Sequence, residues 1–175
     1  PGRWLPVSGG GALAAALSAR LAALGAACTM SREVSAVAAG YQGVVHLRSL
    51  DDDGDPPGAA GARGVLGLVH ALAGVVPSPR LWLVTCGAQP AASHPQPLAV
   101  AQAPIWGLGR VVSLEHSALW GGLIDVDPAV DVEEQASQIV RVLTAPGPED
   151  HVAFRDGAVR VPRLTRRSSG ALAAA

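Results

Sequence analysis

Residues 80–85, Arg-Leu-Trp-Leu-Val-Thr, constrain the fold more than any other stretch of the sequence. The run follows Pro77-Ser78-Pro79, which stops whatever helix precedes it, and it is too short to be a helix of its own. Apolar side chains fill it without alternation. A strand with one face in water would alternate apolar and polar positions, so this one requires cover on both faces. Two-sided cover is the signature of a parallel sheet with helices above and below it.

The rest of the chain supplies the other layers. Trp4-Leu5-Pro6-Val7 reads as a first strand, with Pro6 expected to place it at an edge or leave it irregular, because proline has no N–H for a ladder. Ser8-Gly9-Gly10-Gly11 is a turn, and Ala12 to Leu24 a helix with Leu13, Leu17, Leu21 and Leu24 along it and Gly25 as its stop. Strands are expected at Ala26 to Met30 and Val44 to Leu47, then a polar loop from Asp51 to Gly61 and a helix from Val65 to Val76. After Arg80 to Thr85 comes a proline-containing loop from Cys86 to Pro97. Ala101 to Glu115 reads as a helix, Gly122 to Val126 as a strand, and Val132 to Leu143 as an amphipathic helix with Glu133 and Glu134 at its positive end. His151 to Phe154 and Ala158 to Leu164, joined at Asp156-Gly157, form a terminal hairpin, and Thr165 to Ala175 a linker-like tail. Strands alternating with helices give an α/β fold with a parallel sheet covered on both faces.

Composition then narrows the function. A net charge of −1, with Arg166-Arg167 as the only basic cluster, gives no footprint for nucleic acid or an anionic membrane. No apolar run reaches the length of about 18 residues that a spanning helix needs. The chain begins at Pro1 with neither Met nor a signal segment, so a piece of a longer polypeptide is expected. Cys28 and Cys86 end apolar runs and form no C-x-x-C pair, which reads as two buried thiols in a reducing, cytoplasmic setting. All thirteen basic residues are Arg. Chemistry that needs a lysine ammonium is therefore excluded within this chain.

Gly9-Gly10-Gly11-Ala12-Leu13-Ala14 fits G-x-G-x-x-A between a strand and a helix, where a dinucleotide pyrophosphate meets backbone N–H groups. Glu33 stands where a ribose carboxylate is expected, and Arg32 could receive a 2′-phosphate. The plainer reading is a turn closing a βα unit, with both side chains solvated. Gly9, Gly11 and Arg32 are thus the cofactor-binding candidates, on a short pattern that chance matches often. Carbonyl reduction by a Tyr acidified by a Lys one turn on has no residues here, since Val45 follows the single Tyr41 at that spacing. His46, His70, His94, His116 and His151 lack metal-ligand spacing and read as surface or satisfied histidines. No catalytic and no metal-ligating residue is assigned.

The string Ala101 to His116, AQAPIWGLGRVVSLEH, followed by Trp120-Gly121-Gly122-Leu123-Ile124-Asp125, resembles the N-terminal structural subdomain of ketoreductases from modular polyketide synthases. Leu81 to Thr85 with Gly87-Ala88 upstream, and Glu149 to Arg155 and Val161 to Leu164 downstream, match the same family in order. The likeness is strong from Arg80 to Leu164; before that it rests on the order of elements. It implies a truncated, degenerate Rossmann-like half, residues 1–164, with residues 165–175 leading toward a catalytic half or an inserted enoylreductase. The catalytic half, the partner in cis, would carry NADPH and reduce β-ketoacyl intermediates on an acyl carrier protein, beside neighbouring synthase domains. It leaves this chain without cofactor and points to Trp106, Gly107, Gly109, Arg110 and Trp120 as structural or interface residues. Trp106 is read either as a core anchor or as a residue at the junction of the halves, and both glycines as places where another element packs closely. A free-standing nucleotide-binding protein and a segment of an inactive ketoreductase are the alternatives.

Overall fold

The computed structural model describes residues 2–32, 40–51, 59–145 and 147–166. Its strands are β1 (Arg3–Val7), β2 (Ala27–Cys28), β3 (Gly43–His46), β4 (Arg80–Cys86), β5 (Trp120–Val126), β6 (His151–Arg155) and β7 (Ala158–Arg160). Its helices are α1 (Ala12–Ala23), α2 (Ala59–Leu72), α3 (Ala103–Glu115) and α4 (Val132–Thr144). The strands form one sheet in the order β2-β1-β3-β4-β5-β6-β7. All pairings are parallel except β6 with β7, which is the terminal hairpin. A doubly wound sheet with strand order 3-2-1-4-5-6 becomes this one when its third strand is left out. Among the described residues the fold is Rossmann-like and truncated on the β2 side.

Each strand sends alternate side chains to opposite faces, and each face has its own helices. Trp4, Val45, Trp82, Val84, Ile124 and Phe154 pack with Leu17 and Leu21 of α1 and Ile139 and Leu143 of α4. Leu5, Val44, Leu81, Leu83 and Leu123 pack with Val65, Leu68 and Leu72 of α2 and Ile105 and Val112 of α3. Leu81, Leu83 and Val84 are completely buried, so the strand that most constrained the sequence is covered on both sides. Asp131 caps α4 by accepting from the Glu134 N–H at 2.8 Å, ahead of the two acidic residues of the first turn.

Three expectations need correction. Strand β1 is not at an edge but lies between β2 and β3, and Pro6 is paired with Val45. The Pro6 carbonyl accepts from Ser31 N–H on the β2 side, while Val7 O accepts from Leu47 N–H on the β3 side. The missing N–H therefore also faces β2, which ends at Cys28, and no bond to β3 is lost. Helix α2 runs over Ala59–Leu72, not from Val65 to Val76, so it takes in Ala59 to Gly61 of the expected loop. Residues 52–58 of that loop lie outside the described residues. The two cysteines are free and half-buried rather than fully buried, and burial pushes both thiols up.

His46 is a further correction. It is neither at the surface nor satisfied: the ring is completely buried and both nitrogens lack a hydrogen-bond partner. Gly64 of α2 makes room for it, since a Cβ there would lie 2.8 Å from Nε2. Burial, helped by the Arg48 charge, pulls its pKa from 6.5 down to about 3. The folded state thus refuses a proton that the unfolded chain accepts. Stability from this residue is complete above pH 6.5 and is lost as the pH falls toward 3, at up to about 1.4 kcal/mol per pH unit. His46→Leu is expected to remove that slope from urea unfolding followed between pH 7 and 4, and to stabilise the fold at pH 7 by about 1–3 kcal/mol. An unchanged acid slope would place the ring in contact with water.

Candidate functional site

In a doubly wound sheet, ligands bind outside the carboxyl ends of the strands where the strand order reverses. Here that point lies between β1 and β3. The turn after β1 is Ser8 to Gly11, leading into α1, and the segment after β3 is a 3-10 turn at Arg48–Leu50 ending in Asp51. Asp51 reaches across the crevice onto the glycine turn. Its Oδ2 accepts from the Gly9 N–H at 2.5 Å, and its Oδ1 from the Ser8 hydroxyl at 3.2 Å. The Ser8 Oγ in turn accepts from the N–H groups of Gly10 at 3.1 Å and Gly11 at 3.4 Å. Ser49 Oγ donates to Val84 O at 2.5 Å and so fastens the turn carrying Asp51 to β4.

The candidate cofactor residues are therefore together but engaged. Gly9 abuts the Asp51 carboxylate, where a Cβ would stand 3.0 Å from Oδ2. Gly11 is the N-terminal cap of α1. Arg32 reaches the same turn, its Nη2 lying 3.2 Å from a Cβ placed on Gly10. Glu33 lies outside the described residues. The Asp51 carboxylate lies where a pyrophosphate oxygen would meet the Gly9 N–H.

Further along the same edge of the sheet, the ends of β4, β5 and β6 are closed by a buried polar cluster that sequence reasoning missed. Asp125 is fully buried and ion-paired with Arg155, itself 1% exposed. The Asp125 carboxylate also accepts from Thr85 Oγ1 at 2.6 Å, Ala88 N–H at 2.9 Å and Gln89 N–H at 3.0 Å. Arg155 donates besides to Phe154 O at 2.6 Å, Val126 O at 3.1 Å and Gln89 O at 3.2 Å. Buried charge is tolerated when every polar atom is met in this way. The one hint in the sequence is that Asp125 and Arg155 interrupt otherwise apolar strands. Their pairing depends on the parallel register of β5 and β6.

The structural candidates separate. Trp106 is 4% exposed, and its Nε1 donates to Thr85 Oγ1 at 2.9 Å, so within this chain it is packed as a buried anchor. Trp120 is buried at the start of β5 and donates to Asp150 Oδ2 at 2.8 Å. His151 lies beside both indoles, with ring centroids 6.1 Å from Trp106 and 5.6 Å from Trp120. Gly109 faces β5, where a Cβ would fall 2.8 Å from Leu123 Cδ1, so close packing accounts for it. Gly107 has no such neighbour within this chain: it is exposed and nothing lies within 4 Å of a Cβ placed on it. Arg110 is exposed as well. Tyr41 precedes β3 at the opposite, amino end of the sheet, under the Arg3 guanidinium at 4.7 Å. Among the described residues no group of His, Cys, Asp or Glu is arranged to hold a metal, and no helix is long and apolar enough to cross a membrane.

Known proteins agree with this geometry. A C2-type ketoreductase from a modular polyketide synthase superposes with a TM-score of 0.82 at 33% identity, over 97% of this chain and 42% of its own. An A1-type ketoreductase superposes at 0.67 and 28% identity, over 97% of this chain and 40% of its own. The polyketide synthase GfsA of Streptomyces halstedii is 39% identical over 133 residues, which is 74% of this chain and 2% of the synthase. The pikromycin synthase component PikAII of Streptomyces venezuelae is 34% identical over 146 residues, 81% of this chain and 4% of that protein. The chain thus spans a small fraction of its curated relatives and less than half of the ketoreductases it superposes on. Residues 3–164 match the model of the Rossmann fold domain of the polyketide synthase extender module SpnB, and the chain belongs to that family of ketoreductase-related Rossmann segments.

Proposed function

We propose that this chain is the non-catalytic half of a ketoreductase domain in a modular polyketide synthase, and that it braces a catalytic half lying in cis. The catalytic half binds NADPH and reduces β-ketoacyl groups carried on an acyl carrier protein. This half contributes no reacting group: it has no Lys, and its one Tyr stands away from the carboxyl ends of the strands. Residues 1–164 act as the brace, and residues 165–175 as the link to the following domain.

The outward face of α3 carries the reading. Val100, just before the helix, is 72% exposed, Val111 45% and Leu114 84%, with Gly107 open between them. Leu66, 46% exposed, extends the apolar surface onto α2, which packs beside α3. An apolar stripe of this kind marks a contact surface, and a helix-interior glycine that nothing in its own chain requires is accounted for by a partner approaching there.

Gly107→Leu is the discriminating substitution. The isolated half should keep or slightly gain stability, by about 0.5–1 kcal/mol, because leucine favours the helix and meets no clash. When the two halves are expressed separately and combined, reductase activity should fall at least about tenfold, as expected for a side chain forced into a packed contact. The wild-type half alone should show no NADPH uptake by calorimetry and should self-associate in sedimentation. Unaltered activity of the recombined Gly107→Leu enzyme would remove α3 from the interface.

A further inference from the structure

The disagreement between the glycine turn and the nucleotide it resembles has a chemical content of its own, independent of the brace reading. We propose that the Ser8–Gly11 turn is an anion cradle in which the Asp51 carboxylate stands in place of a phosphate, so that Asp51 both closes a nucleotide crevice and holds β3 to α1.

Four features of an anion site meet here. The turn opens α1, whose first N–H groups carry the positive end of the helix dipole. The Gly9 N–H is aimed at an acceptor and bound to one, at 2.5 Å. The Gly10 and Gly11 N–H groups converge on Ser8 Oγ, whose hydroxyl proton goes to the same carboxylate at 3.2 Å. The Arg32 guanidinium lies over the turn. The acceptor comes from a residue 42 positions further along the chain, on the far side of the crevice, and not from the turn itself. A carboxylate and a phosphate oxygen present the same negative acceptor to backbone N–H groups. The occupant is thus of the class that the cradle would bind, but it is covalently part of the fold and effectively permanent.

The structure also accounts for why the site is closed and not merely vacant. Arg48 to Leu50 deliver Asp51, and Ser49 binds Val84 O, so the carboxylate is carried on a segment fixed to β4. Strand β2, separated from the crevice by β1, is two residues long and sits at the sheet edge. The Asp51 carboxylate itself ties this segment to the turn that opens α1.

The test removes the carboxylate and offers the chain an anion. Asp51→Ala should bind inorganic pyrophosphate at least about tenfold more tightly than the wild type in calorimetry, with melting temperature rising in pyrophosphate or sulfate and not in chloride. Asp51→Asn preserves the shape but not the charge and covers the case in which the alanine variant does not fold. It should be less stable than wild type in chloride and recover on addition of sulfate. Gly9→Val in the Asp51→Ala background should abolish the gain. Wild-type protein that already binds pyrophosphate as well as the variants would overturn the proposal, as would variants that gain neither binding nor anion-dependent stability. Uptake of NADPH by the wild type would overturn it too, and the brace reading with it.

Discussion

Trp106→Ala is expected to destabilise the chain by about 3–5 kcal/mol, the usual range for deleting a buried aromatic side chain. The indole is 4% exposed in the cluster of α2, α3 and the sheet, so alanine leaves a cavity with nothing positioned to fill it. The substitution also removes the donor to Thr85 Oγ1, which itself donates to the buried Asp125. Trp106→Phe separates the two losses: it keeps most of the ring and forfeits the hydrogen bond, and should cost nearer to about 1–2 kcal/mol. Urea unfolding followed by circular dichroism measures both. Domains of this size are stable by about 5–15 kcal/mol, so the alanine variant should unfold at a much lower midpoint. A loss below about 1 kcal/mol would show that α3 is not held by this residue.

Arg155→Met should be comparably damaging, at about 3–5 kcal/mol, because it leaves the Asp125 carboxylate buried without its counter-charge. The guanidinium also meets four backbone carbonyls, those of Asp125, Val126, Phe154 and Gln89, all of which would lose this donor together. The double variant Asp125→Asn, Arg155→Met should recover part of the loss, since a neutral amide oxygen can still accept from Thr85 and Ala88. Equal instability of the single and double variants would mean that the charge is not what the arginine answers.

The architecture was largely legible. The unbroken apolar run at Arg80 to Thr85 is buried on both faces of the sheet, as its lack of alternation required. Helix α4 keeps its expected start because Asp131, Glu133 and Glu134 are local signals that act within one turn. Helix α2 starts before its expected position because Ala59 to Gly64 carries little periodicity of its own; Gly61 is buried against Ile105 and Ser49, contacts made by other elements. Helical spacing alone leaves Trp106 open between a core anchor and the junction of the halves, because spacing gives a face and not what covers it.

What the sequence determined by itself was whatever depends on residue type and short-range order: the alternation of strands and helices, the two-sided cover of β4, the terminal hairpin, the absence of a Tyr–Lys pair. Tertiary structure decided which distant polar groups meet. Pro6 is tolerated inside the sheet because its nitrogen faces the β2 side, so the ladder to β3 loses no bond. Gly9 and Gly11 fit a nucleotide motif by spacing, yet Asp51, 42 positions away from Gly9, fills the turn. Asp125 and Arg155 are charged residues in apolar strands until the parallel register brings them together. A glycine pattern states that backbone N–H groups can be exposed to an anion; only the packing of another segment states whose anion they hold.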